Sequence, residues 1–374
     1  MNIESSDEDQ IEPKDRRLIL FWSGGLILFY AVIAIVIFVW IRKDKTAEEL
    51  RLDALINSPT TELGETYVES PPPGRQAEAT EVTVGVYLQN IHDLSLTDFN
   101  WVADFLVWFK WEGNELDPGE TFSVVGGKID QSEKVAEQTV GSAHYARYHV
   151  IAEIYKFFDV TLYPFNTYVL TIAIEDARYP VYQVRYLADA ENSATSPRVR
   201  IVEGVSISNT AALVKLHPYQ TTLGMPETPA GYTPTFSTFI YGLWISSPGI
   251  RVFLKLFLAL FISVLIAISV FFIKPIDVDP RFGLGVGALF AAVANSFIIS
   301  SMLPPNASLI LVDVVNGIGI ITIFLTVLES IISLYLYEIL EKEATSRALD
   351  RASFVIIMVG YALVNVLIPV AALI

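Results

Sequence analysis

Asp277 and Asp279 stand just ahead of the apolar run Phe282–Leu303. Carboxylate rings at the mouth of a water path favour cations over anions, so these two are the candidates for selectivity. The run itself is rich in glycine, alanine, serine and asparagine, is preceded by Pro280–Arg281 and closes at Pro304–Pro305. Steps of three and four place Gly283, Gly287, Phe290, Ala294, Phe297 and Ser301 on one helical stripe. Symmetry copies of that stripe would line a pore, with rings of Phe290 and Phe297 as constrictions that gate by dewetting. A neighbouring stripe, Ala288, Ala291, Asn295 and Ile298, carries small residues that allow close helix packing. A packed helix with no water path is the competing reading of the same residues.

Other chemistries lack their residues. The chain has no cysteine, which excludes disulfides, thiolate metal sites and Cys nucleophiles. The four histidines are His92, His144, His149 and His217. His144 and His149 have no evident carboxylate partner at ligand spacing, so neither a metal nor a cofactor is expected. Metalloprotease, dithiol, P-loop and serine-hydrolase patterns are missing, and no enzyme activity is expected. The formal net charge is −16, with 27 acidic against 14 basic residues between Lys43 and Gly249. That balance argues against nucleic-acid binding. An acidic surface keeps a domain soluble, and on a membrane it also gathers cations.

The stripe must be held by four apolar segments almost back to back: Val252–Ile273, Phe282–Leu303, Leu309–Leu340 and Ser353–Ile374. Each is long enough to cross a bilayer, which takes about 20 residues. Membrane lipids are therefore expected partners. A fifth apolar run, Leu18–Ile41, follows a polar tail of residues 1–17 and lacks a small-residue cleavage site. It reads as an uncleaved signal anchor, with Trp22 and Trp40 at the interfaces. The loops Lys274–Arg281 and Glu341–Ala352 carry basic residues and Pro304–Ser308 carries none. This places the N-terminus inside and the C-terminus outside a cell (inner) membrane. Asp313 and Asn316 open the third bundle span, and Glu329 falls roughly 30 Å deeper at 1.5 Å per residue, at an interface where it is expected to snorkel to water, with a functional relay as the other reading.

Residues 42–80 read as a linker, with a short helix at Ala47–Ile56 and the turn Pro71-Pro72-Pro73-Gly74. Period-two alternation begins at Val82, Val84, Val86 and Leu88. It returns at Phe105, Val107, Phe109 and Trp111, and at Tyr168, Leu170, Ile172 and Ile174. Further runs lie near Tyr148–Lys156, Val181–Leu187, Val199–Ile207 and Thr235–Trp244. About eight to ten short strands point to a β-sandwich. The expected architecture is a β-sandwich ectodomain (81–249), a four-helix transmembrane bundle (250–374) and one additional N-terminal membrane helix.

The stretch from Phe157 to Asn166, reading FFDVTLYPFN, puts a proline between two aromatics ahead of the strand Thr167–Asp176. Here the chain resembles the pentameric ligand-gated ion channel (Cys-loop receptor-like) family, in its cysteine-free prokaryotic branch. That family places an aromatic-proline-aromatic turn at the base of its ectodomain, followed by four spans. The second span starts with a basic residue and ends in proline, as Arg281 and Pro304 do here. The strand Asp104–Trp111, reading DFLVWFKW, resembles the family's early aromatic strand. The likeness covers roughly residues 82–374. Asn166 replaces the family's usual acid, the stretch from Trp111 to Tyr163 is short, and the N-terminal span is extra.

The resemblance implies a homopentameric channel passing inorganic cations and gated by a small ligand or stimulus at the β-domain. Coupling would run through Asp159, Tyr163, Pro164 and Phe165 to Pro304 and Pro305, with Arg251 and Lys255 as partners for Asp159. Trp108, Trp111, Tyr148, Tyr219 and Tyr232 are the aromatics available to an inter-subunit pocket, where a cage would suit an ammonium ligand. The other reading is a non-conducting membrane-anchored sensor or assembly protein on the same fold.

Overall fold

Two periodicities, 3.6 and 2, sort the chain into helices and strands. The computed structural model describes residues 11–61, 79–113, 116–199, 206–224, 233–246, 249–304 and 309–374. Among the described residues, five helices are long and apolar enough to cross a membrane. They lie within α1 (Pro13–Asn57), α3 (Gly249–Ser269, with a 3-10 turn Val270–Phe272), α4 (Val278–Ser300), α5 (Leu311–Leu334, with a π-helical turn Tyr335–Ile339) and α6 (Glu343–Leu373). A one-turn helix, α2 (Pro118–Thr121), lies among the strands.

The chain divides into two units. A helical unit comprises Met1–Thr46, Val160–Asn166 and Gly249–Ile374; a β unit comprises Ala47–Asp159 and Thr167–Pro248. In the helical unit α1 is a packed member of the bundle. Asp15, Leu26, Tyr30, Ile37 and Ile41 are buried along one face. Trp22 Nε1 donates to Ser353 Oγ (3.0 Å), and the Tyr30 and Thr322 hydroxyls lie 3.1 Å apart. Lys342 Nζ donates to Asp15 Oδ1 at 2.8 Å. Its hydrogen bonds to Asp15 and Glu12 hold the Lys342 ammonium above its ordinary pKa. The anchor does not end at Ile41: α1 continues to Asn57, because Thr46–Leu55 is built from strong helix formers such as Ala47, Glu48, Glu49, Leu50 and Leu52. Of the expected linker, the part up to Asn57 is helical and 58–61 is not, and its Pro71–Gly74 turn lies outside the described residues.

Among the described residues the β unit holds ten strands. One mixed sheet runs β4 (Gly127–Val140), β5 (Ala143–Tyr155), β2 (Asn100–Glu112), β1 (Thr80–Ser95) and β7 (Val184–Ala188). The two-residue β8 (Ala194–Thr195) also pairs with β1. The second sheet, antiparallel, runs β3 (Phe122–Val124), β6 (Thr167–Asp176), β10 (Thr235–Ser246) and β9 (Ser206–Pro218). One buried cluster draws on both sheets, including Val84, Phe105, Phe109 and Val150 from the first and Leu170, Ile172, Phe239 and Tyr241 from the second. Of the strand expected at Val199–Ile207, Ser206 and Ile207 lie in β9, Val199 closes a turn on Ser196, and 200–205 are not described. The strand β4 has no apolar alternation because it is a sheet edge, exposed nearly throughout and studded with Lys and Glu.

Candidate functional site

Helix α4 begins where Asp277 and Pro280 favour a first turn, and it ends ahead of Pro304. Its buried face is Arg281, Gly285, Ala288, Ala292, Asn295 and Ile299. Gly285 is required there, since a Cβ would sit 2.7 Å from Val327 of α5. The opposite face holds the predicted stripe. Gly283, Gly287, Phe290, Ala294, Phe297 and Ser301 are all uncovered within the helical unit, with Phe290 73% and Phe297 77% exposed. No atom lies within 4 Å of a Cβ added at Gly283 or Gly287. Asp277 and Asp279 are exposed at the start of the same helix and make no ion pair among the described residues.

Arg281 points the other way, into the bundle. It donates to Asp350 of α6 through both terminal nitrogens (Nη2–Oδ1 2.6 Å, Nη1–Oδ2 3.3 Å), to Glu329 Oε2 of α5 at 3.5 Å and to the Ile273 carbonyl at 3.2 Å. Glu329 therefore does not snorkel: its side chain is 0% exposed. The sequence reading measured its depth along the helix, which says nothing of the face it lies on. Three helices are tied by this cluster, and Asp350 was not singled out from the sequence at all.

The segment Val160–Asn166 packs within the helical unit. Its Tyr163–Pro164 peptide is cis, and Leu162, Pro164, Phe165 and Asn166 are buried. Leu311 N, at the start of α5, donates to the Thr161 carbonyl at 2.8 Å. Phe165 packs on Phe253 of α3, its ring centroid 5.7 Å away, and lies so near Gly249 that a Cβ there would fall 2.4 Å from the ring. Lys45 Nζ of α1 caps the Phe165 carbonyl at 2.8 Å. Burial raises the Tyr163 phenol above its ordinary pKa. Pro304 is buried, whereas Pro305 lies outside the described residues. Asp159, just before the segment, takes Arg51 of α1 as an ion-pair partner at 3.3 Å, where the sequence suggested Arg251 or Lys255; both of those are exposed.

The aromatic candidates do not converge on one cage. Trp108 covers Gly85, where a Cβ would fall 2.2 Å from its ring, and donates to Asp189 at 3.0 Å. Burial works against the Asp189 charge, but hydrogen bonds from Lys110, Asn192 and Trp108 outweigh it and hold the carboxyl below the usual range. Tyr148 packs with Phe109 and Phe122 under the Lys134 ammonium. Tyr219 donates to Glu175 at 2.6 Å, beside His217 at 2.9 Å, and burial pushes its phenol up. Tyr232 lies outside the described residues. Trp111, stacked on His144, lines a cavity of about 670 Å³ with Lys110, Glu81, Glu112 and Leu187. A second cavity, about 720 Å³, is lined by Tyr87, Asp104, His149 and Arg198. There Asp104 accepts from both His149 (2.8 Å) and His92 (3.0 Å), so His149 does have a carboxylate partner, one the sequence spacing concealed.

These arrangements supply an uncovered small-residue stripe, a buried ionic clamp and a packed segment leading from β5 to β6. No group of acidic residues and histidines with metal-binding geometry occurs among the described residues. No protein-family model matches the chain, and none of the curated proteins matches it.

Proposed function

We propose that five copies of the chain form a ligand-gated, cation-conducting channel of the pentameric ligand-gated ion channel type, with α4 of each copy lining the axis. The observation that carries this reading is the division of the α4 surface. The polar Arg281 and Asn295 are buried in the subunit, while the stripe Gly283–Gly287–Phe290–Ala294–Phe297–Ser301 is left uncovered. A face of glycine, alanine and serine broken by two phenylalanines is better suited to facing its own copies than to facing lipid alone. Exposed Asp277 and Asp279 at one end of that helix favour cations.

The two sheets around a common cluster are read as the layers of a β-sandwich ectodomain, outside the membrane with the C-terminus, and the N-terminus inside. A stimulus in the β unit has a direct path to the bundle through Val160–Asn166, which packs on the starts of α3 and α5. The cavity beside Trp111 is the first place to look for the ligand.

The test uses the absence of native cysteine. Single replacements Gly283→Cys, Gly287→Cys, Ala294→Cys and Ser301→Cys should react with a water-soluble, membrane-impermeant thiol reagent, while Leu254→Cys on α3 should not. Purified protein in planar bilayers should conduct, and Phe290→Ala should raise its basal leak. Protected cysteines together with silent bilayers across a broad ligand and pH screen would support the non-conducting sensor or assembly protein instead.

A further inference from the structure

We infer that the second cavity of the β unit binds a small organic carboxylate, with Arg198 as its anchor. The cavity, about 720 Å³, lies on the face of the first sheet turned away from the buried cluster. Its volume is within the range of small-ligand pockets, roughly 300–1,000 Å³. Strand pairing assembles the floor. Tyr87 of β1 opposes Leu106 of β2, Leu106 opposes His149 of β5, and Asp104 precedes Leu106 on the same side of β2. The pairing of β1 with β2 skips Gln89 and His92. An extra residue of this kind turns successive side chains to one face, and Gln89 and Asn90 accordingly both line the cavity. The wall that carries Arg198 is tethered to β1. Ser196 N donates to the Leu88 carbonyl at 2.8 Å, Val199 N closes a turn on the Ser196 carbonyl at 3.0 Å, and the Ser196 hydroxyl accepts from Arg198 N at 3.3 Å.

The lining holds one carboxylate and one guanidinium, and only the carboxylate is engaged. Asp104 takes His149 on one oxygen and His92 on the other. Arg198 is exposed and makes no ion pair among the described residues. Asn90 spends its side-chain oxygen on Ile91 N at 3.0 Å, which leaves its amide nitrogen to donate. The charge left for a ligand is therefore positive, with amide donors beside it, and the matching ligand is an anionic acceptor. A guanidinium presents two parallel N–H groups, which fit the two oxygens of one carboxylate. Tyr87 and Pro197 offer apolar surface to a carbon skeleton, and a bare inorganic oxyanion would leave most of the volume unfilled. The cavity beside Trp111 carries the reverse set. There Glu81 and Glu112 make no ion pair among the described residues, and Lys110 is taken by Asp189 at 2.7 Å. A cation is drawn to that cavity rather than to the one beside Arg198. The carboxylate site stands whether or not the chain conducts.

The full-length chain in detergent can be titrated calorimetrically at neutral pH with succinate, inorganic phosphate and choline. Succinate should bind saturably, and choline should not displace it. Arg198→Ala should weaken succinate binding about tenfold or more, the range for a charge-assisted, two-point contact. Arg198→Lys keeps the charge without the paired N–H groups and should fall between the wild type and Arg198→Ala. Arg178→Ala, between β6 and β7, should bind succinate as the wild type does. No saturable succinate binding by the wild type would overturn the proposal, as would unchanged binding by Arg198→Ala. Displacement of succinate by choline would make Asp104 the anchor and a cation the ligand, and would overturn it as well. Binding of phosphate without succinate would assign the cavity to an inorganic oxyanion and overturn the organic carboxylate.

Discussion

In the helical unit one guanidinium, Arg281, meets two buried carboxylates, Glu329 and Asp350. In the β unit the buried carboxylates Glu175 and Asp176 are met by hydroxyls, an imidazole and backbone amides. Glu175 takes His217, Tyr219 and Thr238; Asp176 takes Thr121 and the amides of Arg178 and Tyr179. The first arrangement gathers three helices on a single residue. The second spreads the same task over several modest contacts from neighbouring strands and turns. Burying charge is costly in either setting, but only the first leaves two carboxylates stranded when one side chain is lost.

The largest effect expected from this difference is at Arg281. Arg281→Met should destabilise the helical unit by about 3–5 kcal/mol, the range for breaking a buried ion pair from one side. Glu329→Gln should cost far less, because Asp350 keeps the shorter, two-nitrogen contact with Arg281. Thermal or denaturant unfolding in micelles, followed by circular dichroism, measures both. Equal losses would mean that the clamp is not centred on Arg281. In the β unit, Glu175→Ala orphans three donors at once and should cost about 1–3 kcal/mol, with Glu175→Gln recovering part of it. A loss at Glu175 as large as that at Arg281 would erase the contrast between the two units.

Acid should separate two carboxylates within the β unit. Asp189 is held below its ordinary pKa, so the stability it contributes is present above about pH 4 and is lost as pH falls through its folded value. Asp176 runs the other way: burial raises its pKa despite its hydrogen bonds. The folded state then favours its protonated form, and the penalty present at neutral pH is relieved as pH falls. Asp189→Asn should therefore flatten the acid limb of the stability profile, and Asp176→Asn should steepen it. Matching profiles for the two variants would contradict the opposite environments described for them.

The features legible in the sequence were those with a local period. The stripe from Gly283 to Ser301 and the alternation from Val82 to Leu88 follow from 3.6 and 2 residues per repeat, and the structure places both as the spacing requires. Contacts between distant residues carry no such signal. Arg281 meets partners 48 and 69 positions away, and Lys45 meets the Phe165 carbonyl 120 positions away. His149 and Asp104 are 45 apart and join only because β2 and β5 pair. The edge strand β4 escaped notice because an exposed strand needs no apolar face. Trp108 and Tyr148 looked like ligand aromatics, but one covers a glycine and the other packs among core rings, demands that only the tertiary structure reveals.

The smallest stability effect is expected along the later turns of α1. Lys45, Glu48 and Arg51 follow one another at steps of three along that helix. Lys45 holds the Phe165 carbonyl, Glu48 accepts from Thr167 N at 2.8 Å, and Arg51 pairs with Asp159. The Arg51–Asp159 pair is exposed, 72% and 46% at its two side chains, so a double-mutant cycle should give a coupling within about 1 kcal/mol. Its removal nonetheless frees one end of the segment Val160–Asn166, whose other contacts are the starts of α3 and α5. Arg51→Ala should thus leave global unfolding almost unchanged while speeding amide exchange at Tyr163 and Phe165, whose N–H groups close the segment's own turns on the Val160 and Leu162 carbonyls. Lys45→Met, which strips a part-buried carbonyl of its donor, should speed the same amides more. Exchange that follows global stability in both variants would make the segment a rigid part of the bundle and leave α1 no separate hold on it.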